Sequence, residues 1–194
     1  MGFYPEEIDK RFRRPSNTDA GLPGTRGRSA SFLCGSFVEV SVTVNVDSGS
    51  IDSANFRTNG CGFMIAAGDA LCDELKGKTL SDLHGLHDAE LMDAISGELG
   101  PFPPDRVQCA GVVFEALRHA MSLHRARRIE EFQGEMALIC TCFGVSEESI
   151  MSAISENALT EVEQVVETCR AGSGCGSCRF LIQELIDMRG QGLD

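Results

Sequence analysis

No stretch of this 194-residue chain stays apolar long enough to cross a bilayer as a helix, which takes about 20 residues. The opening residues, M-G-F-Y-P-E-E-I-D-K, lack the apolar core of a secretion signal, and Glu6 stands where a myristoylation motif wants Ser or Thr. Positive charge is scarce: 17 Lys and Arg face 29 Asp and Glu, a formal net charge of −12. A nucleic-acid surface is basic, so that class is disfavoured. Residues 129–194 are the extreme, with three arginines against twelve acids, which suits docking to a basic protein or simple solubility. Internal repeats and low-complexity tracts are absent. So are a nucleophile–base pairing and a phosphate loop, and Gly172 to Gly176 lacks the preceding strand of a dinucleotide fingerprint. The expectation is a cytoplasmic protein with no membrane or nucleic-acid partner and no self-contained enzyme activity.

What the chain does have is cysteine, nine in all. Four are paired near the C-terminus, Cys140 and Cys142 in I-C-T-C-F-G and Cys175 and Cys178 in G-S-G-C-G-S-C-R-F. A C-x-C and a C-x-x-C, separated by enough chain for two short helices, can set four sulfurs around one centre, either a zinc ion or an iron–sulfur cluster. Gly172, Gly174 and Gly176 favour the cluster, because they let backbone N–H groups approach a large anion. The apolar run Phe180–Ile186 reads as a helix opening at Cys178, whose N-terminus favours thiolate charge. Inert buried thiols or two disulfides are the competing readings, and the second is at odds with a cytosolic chain.

Ahead of this module, Pro5 to Arg14 reads as a short amphipathic helix ended by Pro15, and residues 15–30 as a mobile loop. Val38, Val40, Val42, Val44 and Val46 alternate with polar residues, the pattern of a half-buried strand. Asp47-Ser48-Gly49 turns it into a second strand, Ile51–Thr58, and a first strand is expected near Ser31–Leu33. Helical spacing follows from Gly62 to Gly77, from Asp88 to Leu99, and from Pro103-Pro104-Asp105 through His124–Arg128, with 130–135 a polar connection. Length and 42% hydrophobic content predict one modest core plus a small appended domain. The order of elements reads as α+β, a small antiparallel sheet packed with helices, followed by a small all-α cluster domain. The domains are 1–130 and 137–190.

Cys34, Cys61 and Cys109 fall at the ends of these elements, beside Gly35, Gly60 and Gly62 or in a helix's first turn, where a thiolate is stabilised and accessible. On spacing alone a three-cysteine site and three unrelated small hydrophobes are equally supported. Cys109, at a helix N-terminus, is expected to be the most reactive. Cys72 lies on an apolar face and reads as core, Cys169 as a bystander, and His84, His87, His119 and His124 as capping or surface residues.

Leu33-Cys34-Gly35, Asn59-Gly60-Cys61-Gly62, Lys76–Leu80 and Val107-Gln108-Cys109-Ala110 together resemble the NifU/IscU iron–sulfur cluster assembly scaffolds. Ile139–Phe180 is similar to the BFD-like [2Fe–2S] domain that follows the scaffold in NifU proteins. The resemblance covers roughly residues 3–188 and implies a NifU-like chain lacking the further C-terminal Nfu-type domain. It implies that Cys34, Cys61 and Cys109 hold a transient iron–sulfur cluster or an iron or zinc ion. It assigns Cys140, Cys142, Cys175 and Cys178 to a permanent [2Fe–2S] cluster. The implied partners are a NifS/IscS-like cysteine desulfurase and recipient apo iron–sulfur proteins, with homodimer formation open. Two positions depart from the family. Ser36 stands where an Asp is usual and Gln108 where a His is usual, leaving the fourth ligand position to water, a weak donor or a partner. The competing function is an electron-transfer or redox-sensing [2Fe–2S] protein whose N-terminal domain is degenerate.

Overall fold

The computed structural model describes residues 3–18, 21, 24–83, 86–131 (without the side chains of 130 and 131) and 137–190. His84 and most of the expected polar connection lie outside the described residues. The chain divides into two compact units, the first comprising residues 1–45, 50–78 and 86–124, the second residues 46–49, 79–85 and 125–194.

In the first unit, helix α1 (Glu6–Arg13) precedes a three-stranded antiparallel sheet of β1 (Thr25–Ala30), β2 (Phe37–Val44) and β3 (Ile51–Thr58), in that order. The helices α2 (Gly62–Leu75), α3 (Asp88–Leu99) and α4 (Val107–Glu131) follow, α4 belonging to this unit as far as His124. The register aligns Gly27, Val40 and Phe56 across the sheet. That row faces the helices. A Cβ on Gly27 would sit 2.1 Å from the Ala120 nitrogen of α4, and one on Gly68 of α2 would sit 2.6 Å from the Phe56 ring. Val38, Val40, Val42, Phe56, Met64, Leu71, Ile95 and Phe114 fill the space between sheet and helices.

Two expectations are corrected. The first strand is Thr25–Ala30, within what reads as a loop, and not Ser31–Leu33, which lies in the β1–β2 turn. T-R-G-R-S-A carries no apolar alternation because the backbone of α4 fills the place of inward side chains. The alternation on β2 also stops early. The register shifts at Thr43/Val44, and Val46 is exposed. Glu39 and Ser41, on the polar phase of that strand, are buried.

Helix α1 is tied down by charge. Arg11 donates from Nε to Asp69 at 2.6 Å and also reaches Asp73 and Glu98. The buried Asp69 carboxylate further accepts the backbone N–H groups of Ser16 and Asn17, at 2.8 and 2.7 Å, so its charge is fully partnered. Glycine ends α3 as expected: Gly100 has φ +73°. His87 opens α3, its N–H donating to Glu90 at 2.9 Å.

The second unit contains helices α5 (Glu147–Asn157), α6 (Val162–Cys169) and α7 (Arg179–Gly190). A two-stranded hairpin of β4 (Leu138–Cys140) and β5 (Val145–Ser146) adds to the expected helical pattern. Ser146 caps α5 by accepting the Ser149 N–H at 3.2 Å. Ile150, Ile154, Val165, Ile182, Leu185 and Ile186 form its core together with Cys140, Cys142 and Cys178. Among the described residues no helix is long and apolar enough to cross a membrane.

Gly27→Ala is expected to lower the urea unfolding free energy by about 1–3 kcal/mol through forced separation of β1 from α4. Gly111→Ala, in α4 with nothing near its added Cβ, is expected to be neutral or stabilising by about 0.5–1 kcal/mol. Equal losses in the two variants would show that the strand–helix contact is not what selects glycine.

Candidate functional site

The hairpin turn brings Cys140 and Cys142 to one wall of a small cavity, and the glycine-rich loop before α7 brings Cys175 and Cys178 to the other. The cavity has a volume of about 30 Å³ and is lined by all four cysteines with Gly172, Gly174 and Gly176. Gly172 and Gly176 adopt φ +87° and +73°, which favour glycine. At Gly174 close approach is the requirement, since a Cβ there would lie 2.6 Å from Cys142 Cβ and 2.9 Å from its Sγ. Cys178 immediately precedes α7, and its carbonyl accepts the Ile182 N–H at 3.0 Å.

The four sulfurs stand as two hydrogen-bonded pairs, Cys140 with Cys178 and Cys142 with Cys175. The bond from Cys178, aided by the N–H groups of Gly172, Phe143 and Cys142, lowers the Cys140 thiol to about 6 against the cost of burial. Holding that shared proton pushes Cys178 up. Burial raises Cys142 to about 11, although the Cys175 N–H, 3.4 Å from its sulfur, opposes the shift. Burial also opposes ionisation of Cys175, but Ser177 and the Cys142 thiol hold it below the usual range. In each pair one thiol is thus the more acidic, Cys140 over Cys178 and Cys175 over Cys142. Among the described residues no group of three or more His, Cys, Asp or Glu stands in metal-holding geometry.

By donor type the residues still fit a [2Fe–2S] centre. They offer four sulfurs, backbone N–H groups already aimed at sulfur, and a glycine loop that leaves no side chain in the way. Phe143 stacks under the Arg170 guanidinium, 4.5 Å from its ring centre, and Arg170 takes φ +66°. Sequence reasoning singled out neither residue, since no spacing pattern links positions 143 and 170. Cys169 stands apart, its thiol donating to the Val165 carbonyl at 3.3 Å.

In the first unit Cys61 precedes α2 and Cys109 lies in the first turn of α4, their sulfurs 3.8 Å apart. Cys34 is exposed in the β1–β2 turn. The Tyr4 hydroxyl accepts the Gly62 N–H at 3.2 Å, and a Cβ on Gly62 would strike the Tyr4 and Phe12 rings. The electrostatics run against the expectation that Cys109 is the most reactive thiol. Burial and the adjoining Cys61 push Cys109 up to about 12, which outweighs its helix position. Cys34 is lowered instead, to about 7, by hydrogen bonds from Ser31 and Ser36, with Arg106 adding positive charge. Ser36 thus serves the thiolate as a donor, whereas Gln108 turns away and donates to the Asp105 carbonyl at 3.3 Å. Cys72 is core as expected, its thiol pushed up by burial.

A family model described as the NifU-like N terminal domain matches residues 3–131. The chain belongs to the NifU family. A second model, the BFD-like [2Fe-2S] binding domain, matches residues 138–188. Among curated NifU relatives, the nitrogen fixation protein NifU of Nostoc sp. is 34% identical over 197 residues, and that of Trichormus azollae 33% over 195. Each alignment covers 96% of this chain but 64% of the relative, so the chain spans a little under two thirds of these NifU proteins. The iron–sulfur cluster assembly scaffold protein IscU of Haemophilus influenzae is 24% identical over 124 residues, covering 64% of this chain and 89% of that protein.

With both sites metal-free, iodoacetamide is expected to label Cys34 first. Its rate should rise as pH climbs through about 7, because the thiolate is the reacting form. Ser36→Ala should move that midpoint upward, as mass spectrometry of the labelled peptides would read. Faster labelling of Cys109 would mean that the helix N-terminus outweighs burial after all.

Proposed function

We propose that this NifU-family chain is an iron–sulfur cluster assembly scaffold. It gathers iron and sulfur on Cys34, Cys61 and Cys109 as transient cargo, and keeps a resident [2Fe–2S] centre on Cys140, Cys142, Cys175 and Cys178. The single observation that carries the reading is the contrast between the two cysteine sets. One lines a glycine-built cavity with N–H groups directed at sulfur, while the other sets a buried and a half-buried sulfur, 3.8 Å apart, beside one exposed, acidified thiol. The working domains are 1–130 and 137–190.

In this reading Cys34 is the entry point. Its thiolate attacks the outer sulfur of a persulfide on a cysteine desulfurase. The S–S bond of the persulfide breaks, a new S–S bond forms at Cys34, and the desulfurase cysteine leaves as thiolate. Ser31 and Ser36 hold the attacking charge, and Arg106 steadies it. Cys61 and Cys109 bind iron as thiolates, so iron entry releases their protons. The fourth ligand position is left to solvent or a recipient apo-protein, since Gln108 is engaged elsewhere. A [2Fe–2S] centre in the second unit would supply one-electron transfer. There, the Gly172 N–H and the α7 N-terminus would offset negative charge on Cys140 and Cys178 once both have lost the proton they share. The chain acts in the cytoplasm and performs no turnover of its own apart from its partners.

The full chain, incubated anaerobically with a desulfurase, cysteine, ferrous iron and a dithiol that reduces persulfide sulfur to sulfide, is expected to gain a chelator-labile cluster in addition to a chelator-resistant one. Cys34→Ser should lose only the labile cluster, and Cys175→Ala only the resistant one, the latter with partial unfolding of a unit whose core includes the site. If wild type forms no labile cluster and Ser36→Asp with Gln108→His restores it, the chain is an electron-transfer or redox-sensing protein instead.

A further inference from the structure

On the outer face of the sheet, the register sets Arg28, Glu39 and Arg57 side by side across β1, β2 and β3. They lie on the opposite phase from the Gly27, Val40 and Phe56 row that meets the helices. The Glu39 side chain is 0% exposed although it stands on the outward phase of the sheet. Its carboxylate accepts from Arg28 Nε, from Arg57 Nε at 2.9 Å and from Arg26 Nη1 at 3.3 Å. One carboxylate thus gathers three guanidinium groups, which leaves the face positive in a chain of net charge −12.

Arg28 and Arg57 remain 66% and 51% exposed, and each holds Glu39 through Nε, which leaves its two terminal nitrogens outside that ion pair. The basin they border with Ser29, Ala30 and Phe37 is shallow and open, with no wall to enclose a small anion. Phe37 is exposed at its rim, and Phe32 and Leu33 project from the adjoining β1–β2 turn. Arginine beside exposed aromatic side chains is the composition of a protein interface. Anchoring by Glu39 removes part of the entropy that two free arginines would lose on binding. A continuous polyanion such as nucleic acid is repelled by the whole chain, whereas clustered carboxylates on a protein meet the local charge within a Debye length.

We propose that this face is a docking surface for a protein partner presenting clustered carboxylates beside an apolar contact. Arg28 and Arg57 grip the carboxylates, Glu39 fixes both forks, and Phe32, Leu33 and Phe37 supply the apolar anchors. The surface needs neither cysteine set to be loaded, so it stands or falls separately from the assembly reading.

The test is a titration of the ¹⁵N-labelled full chain with a synthetic peptide of glutamates flanking one phenylalanine, followed by amide shifts. Shifts are expected within residues 28–39 and at 57, and should fade as salt rises from roughly 0.05 M to roughly 0.5 M. Arg28→Gln with Arg57→Gln should weaken binding about tenfold or more. The triple variant that adds Glu39→Gln should weaken it equally while leaving no buried carboxylate unpaired, so that loss of folding is not the cause. Arg118→Gln, on α4, should change nothing. Absent shifts, shifts elsewhere, or equal weakening by Arg118→Gln would overturn the proposal. The same shifts produced by inorganic phosphate would make it a small-anion site. Shifts that appear on concentrating the chain alone would make the occupant a second copy.

Discussion

Cysteine sulfur in the second unit is core material, and the rest of that unit is arranged around this fact. Cys140, Cys142 and Cys178 are buried among the same isoleucines and valines that hold α5, α6 and α7 together. Negative charge on buried sulfur is costly unless hydrogen-bond donors meet it. The glycines of the loop before α7, the N–H of Gly172 and the start of α7 itself supply that compensation. Packing and charge are therefore one problem here, so whatever fills the cavity also sets how firmly the three short helices stay together.

The first unit solves a different problem. Its sheet and helices close on each other through Gly27 and Gly68, and Arg11 locks α1 across α2. The core there is complete without sulfur chemistry, apart from the inert Cys72. Cys61 and Cys109 sit at helix starts at the margin of that core, and Cys34 lies on a turn outside it. In the proposed reading, one exposed, acidic thiol beside a buried and a half-buried one serves cargo that must arrive and leave, and the cavity walled by the core serves a group that stays.

Much of this was legible in the sequence where one physical cause dominates. Asp88 and Gly100 bracket α3, and the valine alternation marks β2. The C-x-C and C-x-x-C spacing brought together the four sulfurs that now line one cavity. The sequence was misleading where two causes compete. β1 lacks the strand pattern because a helix backbone takes the place of its inward side chains. Cys109 lies at a helix start, but burial and Cys61 outweigh that position. Glu39 follows the polar phase of its strand yet is buried, because arginines from both neighbouring strands close over it. The serine pair that acidifies Cys34 depends on a turn bringing Ser31 and Ser36 back to one sulfur, which spacing alone does not encode.

The central claim is that the four-cysteine cavity holds a [2Fe–2S] centre. The most direct measurement is Mössbauer spectroscopy of the anaerobically purified, iron-57-labelled full chain, with metal and acid-labile sulfide analysis on the same sample. The account predicts about two irons and about two sulfides per chain, both irons in tetrahedral sulfur sites. One zinc per chain with no labile sulfide would contradict it.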